Sequence, residues 1–350
     1  MPNARYPEIT VAGSPRELGR QIGDAAGELI RGFCTVAMER VNQTVRITRE
    51  AAMDTARKSI PYAERYAPDM VEELRGTAET ARVTLEDLML LQVRNQLRST
   101  DAGCTSFSVA PPRSNERFVA QNWDNDPGLD PFTLVLTRKP TGKPASTTLT
   151  QAGLIGYIGF NDAGIGVCLN SLPAPSRPLG VPHYFMVREI LEAKSLDDVV
   201  HAVNRAERAI PANIMLSTPQ GPADLEVTID HVHVLTDPRN ALVTHTNHCK
   251  HPELAAINPQ YDELIQSHAR QCRIDELLGK PSGTLTIADL QSALRDHTDY
   301  PTSICRHSNA DPAFGFWATV FSVIIATDSR EMHITRGTPC DRAYDRYSMT

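Results

Sequence analysis

The chain has 350 residues, 41% of them hydrophobic and 22% charged, with a formal net charge of -7. That length can bury the core of one large domain or two ordinary ones. The acidic balance argues against a nucleic-acid binder, whose surface would be basic, and no run reaches the roughly 18 apolar residues of a membrane-spanning helix.

The first residues, MPNARYPEITVAG, lack the basic-then-apolar pattern of a secretory signal, and the last, RYSMT, form neither a peroxisomal nor an ER-retention tripeptide. Seven cysteines are scattered without a C-x-x-C pair, which suits reduced thiols in a cytoplasm. Cytoplasmic location, with neither membrane nor nucleic-acid partner, is therefore expected.

Helical signals come first along the chain. Ser14-Pro15-Arg16-Glu17 supplies a cap, a proline at the first helical position and a capping-box acid. Leu18, Ile22, Ala25, Leu29 and Phe33 follow at helical spacing. Thr84-Leu85-Glu86-Asp87 opens another helix, with Leu88, Met89 and Leu91 behind it. The first hundred residues are expected to be mostly amphipathic helix.

After Cys104 the period turns to two. RFVAQNW and FTLVLTRK read as strands, and GLIGYIGFNDAGIGVCLNSL reads as two strands around the turn Asn161-Asp162-Ala163-Gly164. Helices intrude at Val181 to Ala193, Ser195 to Val203 and Thr286 to Leu294, the last two opening on a hydroxyl cap with an acid three residues on. ADLEVTIDHVHVLTD reads as one long strand or a hairpin, and ALVTHTNH as another strand. WATVFSVIIATDSREMHITRG reads as a hairpin turning at Asp328-Ser329-Arg330. Successive antiparallel strands with helices set apart predict an α+β layered domain.

Gly103-Cys104-Thr105-Ser106 sits at the seam between these halves. A cysteine there can be a buried small residue, a thiol nucleophile or a cut site. The last has specific chemistry. The thiol can attack the preceding carbonyl and shift the acyl group from nitrogen to sulfur, and glycine leaves that carbonyl unhindered. Water then frees an N-terminal cysteine whose α-amine titrates near neutrality and can serve as base for its own side chain. Such a site needs a group to hold the amine, an oxyanion donor and a balancing cation. AQNWDND offers Asn122 and Asp124, GVCLNSL offers Asn170, VTHTNHCKH offers Asn247, and DYPTSICRH offers Tyr300 and Arg306.

In this order, GCTSF (103–107), QNWD (121–124), GLIGYIGFNDAGIGV (153–167), THTNHC (244–249) and YPTSICR (300–306) resemble the acyl-coenzyme A:6-aminopenicillanic acid acyltransferase family of N-terminal nucleophile (Ntn) hydrolases. The resemblance spans nearly the whole chain and implies a four-layer αββα sandwich of two antiparallel sheets flanked by helices. It implies a precursor that cuts itself between Gly103 and Cys104, giving a helical segment 1–103 and a catalytic chain 104–350 within one domain. Cys104 would be the nucleophile of both the self-cut and the acyl transfer. Asp124 would position the freed amine or thiol, Asn247 would donate to the oxyanion, and Arg306 would balance the charge of Asp124. Asn170, Thr105, Tyr300 and Asn122 would support the site or the substrate. The implied partners are a small N-acyl substrate and the chain's own cleaved segment, with room for a homo-oligomer and no cofactor.

Three other readings compete. His231 and His233 alternate on one strand, and His245, His248, Cys249 and His251 form a second group, but neither has a zinc spacing, so no metal is expected. A thiol sensor or inactive scaffold would have little reason to keep Cys104, Asp124, Asn247 and Arg306 together. GLIGYIG lacks the helix and downstream acid of a dinucleotide site, and neither a P-loop nor G-x-S-x-G occurs. Within the enzyme reading, amide hydrolysis is favoured over transfer of the acyl group to an amine.

Overall fold

The computed structural model describes residues 5–97, 103–279 and 283–349. Both expected helix starts form. Ser14 precedes α1 (Pro15–Val41), and its N–H donates to the Glu17 carboxylate at 2.8 Å. After α2 (Arg49–Tyr66) and α3 (Pro68–Ala81), Thr84 caps α4 (Leu85–Val93) by accepting from the Asp87 N–H. The first hundred residues are not all helix and loop, however, because β1 (Glu8–Gly13) precedes α1. Its run of only six residues, partly exposed, gives too short an alternation to stand out beside the helical stripe.

The second part opens with β2 (Gly103–Val109), β3 (Phe118–Asn125), β4 (Thr133–Pro140), β5 (Ser146–Gln151), β6 (Ile158–Asn161) and β7 (Gly166–Asn170). The β6–β7 turn is the one expected. Gly164 takes φ +87°, and Asn161 Oδ1 accepts from Ala163 N–H and Ile165 N–H. Helices α5 (His183–Ile190) and α6 (Leu196–Asn204) follow, then β8 (Ala212–Thr218), β9 (Gly221–Val227), β10 (Val232–Leu235) and β11 (Leu242–His245). The run ADLEVTIDHVHVLTD is thus a hairpin. Helices α7 (Pro252–Ala255), α8 (Ser267–Gly279) and α9 (Ile287–Leu294) precede β12 (Ala318–Ala326), β13 (Glu331–Arg336) and β14 (Asp345–Ser348).

The strands form two sheets. One runs β1-β4-β5-β6-β7-β8-β9-β10 and the other β11-β2-β3-β12-β13-β14. All neighbours are antiparallel except β1 and β4. The sheets face each other through β2, β3, β7, β8 and β9. Helix α1 packs against β1 and β4, while α8 and α9 cover β2, β11 and β12. The fold is therefore the four-layer αββα sandwich. Trp123 of β3 anchors its centre, stacked on Phe321 with centroids 4.9 Å apart and edge-on to Tyr157 at 6.0 Å.

Double coverage explains why β2, β3 and β5 are buried along their whole length. Their polar residues become bridges instead of solvent contacts. Ser106 Oγ reaches Asn170 Oδ1 of the other sheet at 2.8 Å, and Gln121 bonds the backbone of Leu169. The helical layer is fastened by charge as well as by apolar packing. Glu73 of α3, buried, takes Arg138 Nε of β4 at 2.8 Å and Arg188 Nη1 of α5 at 3.1 Å. The two guanidinium groups hold the Glu73 carboxyl below its usual range against the opposing effect of burial.

Candidate active site

Cys104 is the second residue of β2 and is 0% exposed. It pairs with Trp123, which puts its side chain on the face that meets the other sheet. Burial, followed by the charge of Asp124, pushes the thiol well above its ordinary range, while Arg270, Gln121 and the Asp124 amide act against the rise. Gly103 pairs with Asp124. Its value lies in close approach: a Cβ there would come within 1.7 Å of Ile265 Cδ1. Residues 98–102, the rest of the seam, lie outside the described residues.

Asn247, just past β11, meets this link. Its Oδ1 accepts the Cys104 backbone N–H at 2.9 Å and its Nδ2 donates to the Ser171 carbonyl at 2.9 Å. Toward the Cys104 N–H it is thus an acceptor, while the resemblance implies that it donates to the oxyanion. Its second Nδ2 proton remains for donation. Asn170 stands one layer behind. Its Nδ2 bonds the His245 and Thr246 carbonyls at 3.2 and 2.7 Å, so it fixes the turn that carries Asn247.

Arg270, on the first turns of α8, is the residue that motif reasoning missed. Its Nη1 donates to the Cys104 carbonyl at 2.5 Å and to Thr105 Oγ1 at 3.0 Å, and its Nη2 donates to Asn247 Oδ1 at 2.9 Å. Burial lowers its pKa to about 10, with Asp124 and Cys104 opposing the fall. Its Nε holds the Ile265 carbonyl at 2.8 Å. Ile265 and Gln266 both take left-handed φ, 40° and 56°, a conformation costing side-chain-bearing residues roughly 1–2 kcal/mol each. This turn lays Ile265 over Gly103, where Leu264, Ile265, Trp317 and Phe314 form a small apolar cluster.

Asp124 is fully buried. Its Oδ1 accepts from Thr319 Oγ1 at 2.7 Å, and its Oδ2 has no partner among the described residues. Burial raises its pKa to about 6, against Arg270, the Thr319 hydroxyl and Arg306. Arg306 balances this charge through space. Its N–H donates to Thr319 Oγ1 at 2.9 Å and its Nη1 to Gln266 Oε1 at 3.0 Å, while Nε and Nη2 have no partner among the described residues. An Asp124 that must be ionised makes the rate fall as pH drops through about 6. Thr319→Val removes a hydrogen bond to the charged form, so the acid limb should move up by about one unit. A pH–rate profile checks this, and an unmoved limb removes Asp124 from the titrating step.

Two expected residues stand apart from this group. Tyr300 is 64% exposed and packs beside the His297 and His307 rings, with centroids 5.7 and 5.1 Å away. Asn122 lies on the β3 face turned to the α9 layer, where Nδ2 clasps the Leu294 and Ile304 carbonyls at 2.8 and 3.0 Å. His231 and His233 do share a face, with ring centroids 6.0 Å apart, and His245 and His248 lie 6.4 Å apart. Both His245 nitrogens are engaged, one with Glu226 Oε1 at 2.8 Å and one with the Thr246 carbonyl at 2.9 Å. His248 stacks on His268, and His233 on His251 beside Glu253. A cavity of about 770 Å³, lined by residues including Leu235, Asp237, Leu242 and Asp275, lies at the opposite end of the β11–β2 pair from Cys104.

A cysteine at the start of an inner strand, gripped by Asn247 and Arg270 beside a buried aspartate, within an αββα sandwich, marks an acylase or acyltransferase of the Ntn kind. The model of the acyl-coenzyme A:6-aminopenicillanic acid acyl-transferase family matches residues 112–341, and the chain belongs to that family. The 40 kDa form of the acyl-coenzyme A:6-aminopenicillanic-acid-acyltransferase from Emericella nidulans is 27% identical over 340 residues, covering 95% of this chain and 92% of the relative. Penicillin V acylase from Agrobacterium tumefaciens aligns with a TM-score of 0.49 at 13% identity, over 70% of this chain and 86% of that one. A mutant conjugated bile acid hydrolase from Clostridium perfringens aligns with a TM-score of 0.44 at 11% identity, over 71% of this chain and 97% of that one. At such scores the likeness bears on neither substrate nor mechanism. No helix among the described residues is long and apolar enough to cross a membrane.

Proposed function

We propose that the protein is a self-processing N-terminal cysteine amidohydrolase that cleaves a small linear N-acyl amide through a thioester on Cys104. The observation that carries this reading is the double grip on Cys104: its N–H on Asn247 and its carbonyl on Arg270, which also bonds Asn247.

In the self-cut, Sγ attacks the Gly103 carbonyl carbon as the thiol proton passes to the carbonyl oxygen. The C–N bond to Cys104 breaks as its nitrogen takes up the proton, leaving the acyl group on sulfur. Water then hydrolyses the thioester, so that Gly103 ends in a carboxylate and Cys104 carries a free amine. That amine, of a kind that titrates near neutrality in an open chain, lies beside Asp124 and Asn247 and becomes the base for turnover. Asn247 donates its second Nδ2 proton to the oxyanion. Arg306 and Arg270 keep the buried charge balanced, Thr105 and Asn170 hold the frame, and Asn122 secures the loop before Arg306. All seven cysteines are free, which fits a reducing, cytoplasmic setting.

A second reading, transfer of the acyl group to an amine, is favoured by the relative's name and by the apolar cover of Leu264, Ile265 and Trp317, since exclusion of water protects a thioester for an amine acceptor. Intact mass tests the common part: two polypeptides are expected, the larger beginning at Cys104. A single chain of 38.5 kDa that turns over amides overturns self-processing. With an added amine, the acylated product identifies transfer and the free acid identifies hydrolysis.

A further inference from the structure

We propose that His297, Cys305, His307 and Cys340 form a tetrahedral zinc site that fastens the loop bearing Arg306. Their ligand atoms all lie within 4.8 Å of one another. The first three come from the loop between α9 and β12, and Cys340 comes from the loop between β13 and β14. Two loops distant in sequence thus bring two imidazoles and two thiols to one point.

The separations fit metal coordination. His297 Nε2 and His307 Nε2 are 3.2 Å apart, and His307 Nε2 is 3.7 Å from Cys305 Sγ and 3.5 Å from Cys340 Sγ. Around a tetrahedral ion with bonds of about 2.0 Å to nitrogen and about 2.3 Å to sulfur, the edges are about 3.3 Å between nitrogens and about 3.5 Å between nitrogen and sulfur. Hydrogen bonding explains the group less well. A ring nitrogen has one proton or one lone pair in its plane, yet His307 Nε2 has three polar neighbours. Two imidazoles and two thiolates suit zinc, which has no geometric preference against the tetrahedron. His233, His251 and Glu253 also lie close together, but there the two histidines stack ring on ring at 4.0 Å and Glu253 is exposed.

The site has a use. Cys305 and His307 flank Arg306, whose N–H meets the hydroxyl that donates to Asp124. The Cys305 N–H bonds the Asp296 carbonyl at 3.0 Å and the His307 N–H bonds the Pro301 carbonyl at 2.9 Å, but the long segment has no helix or strand of its own. A bound ion would fix both neighbours of Arg306 to the loop between β13 and β14. It would also account for Tyr300, which then covers the metal ligands and stands outside the acyl site.

The test is metal content of the full-length protein, expressed with zinc and desalted. About one zinc per chain is expected, falling below about 0.1 in His297→Ala and in Cys340→Ser, whereas Cys272→Ser, an exposed cysteine elsewhere, should keep it. Cobalt(II) added to the metal-free protein should give the visible bands of a tetrahedral thiolate complex, absent in Cys340→Ser. Chelation should lower the melting temperature of the native protein and leave that of Cys340→Ser unchanged. A protein that holds no zinc and gives no cobalt bands overturns the proposal. So does a Cys305–Cys340 disulfide found by mass spectrometry of the unreduced chain.

Discussion

Cys104→Ala should leave one uncut chain of 38.5 kDa with no acylase activity. The expectation follows from one atom serving two steps. Without Sγ there is no N-to-S shift, so no amine is freed, and no thioester forms with substrate. Alanine is smaller than cysteine and enters a site that is already apolar on the Trp123 side, so the fold should survive with a small cavity. Denaturing gels and intact mass read the cut, and an amide panel reads turnover. If the variant still splits at this bond, the self-cut does not use Cys104. If it stays whole but turns over amides, the thioester is wrong and the cut is incidental.

Asn247→Ala should fold but turn over substrate roughly 10²–10³ more slowly, the ordinary cost of one oxyanion donor. The loss has a second source here. Asn247 Oδ1 is shared by the Cys104 N–H and Arg270 Nη2, so alanine leaves two buried donors without their acceptor. Asn247→Asp separates the two sources. It keeps an acceptor for both donors but removes the Nδ2 protons, so it should restore the self-cut more than it restores turnover. Rates of processing and of amide hydrolysis, measured side by side, check this. A normal rate in Asn247→Ala removes it from the site.

The layered architecture was legible because its local signals are strong and independent. Ser14, Thr84, Ser195 and Thr286 all cap helices as their sequences foretold, and the Asn161–Gly164 and Asp328–Arg330 turns close the hairpins expected of them. What stayed hidden has a physical reason in each case. Helix α8 presents Ser267, Arg270, Gln271, Ile274 and Leu278 to the interior. These have helical spacing, but the first three are polar because they face the site, so no apolar stripe announces the helix. Arg270 is invisible for that reason, although an arginine at a buried-stripe position is itself a signal. Ser106 and Gln121 were passed over because inter-sheet bridges leave no local pattern. Tyr300 was drawn in by its nearness in sequence to Arg306, but a loop can turn one neighbour to the core and the other to the surface. The four residues of the zinc proposal were missed because Cys340 comes from another loop, and no linear spacing predicts that meeting.

The Glu73 clasp and the β1–β4 pairing carry a consequence for how the molecule ages. Residues before the seam give an edge strand to the eight-stranded sheet, and α3 is tied to β4 and α5 by two buried guanidinium contacts. Under the proposed self-cut, such a segment folds as part of its own chain only once. After a cut at Gly103–Cys104 the same contacts join two molecules, and the effective concentration that the covalent link supplied is lost. The pieces stay together while folded, since neither can leave without exposing the common core. Once heat parts them, reassembly becomes a second-order event competing with aggregation, and durability passes from an equilibrium to the height of the unfolding barrier. Maturation would turn a reversible fold into a one-way one, and the lifetime of the enzyme would then be set by how slowly α3 lets go of β4.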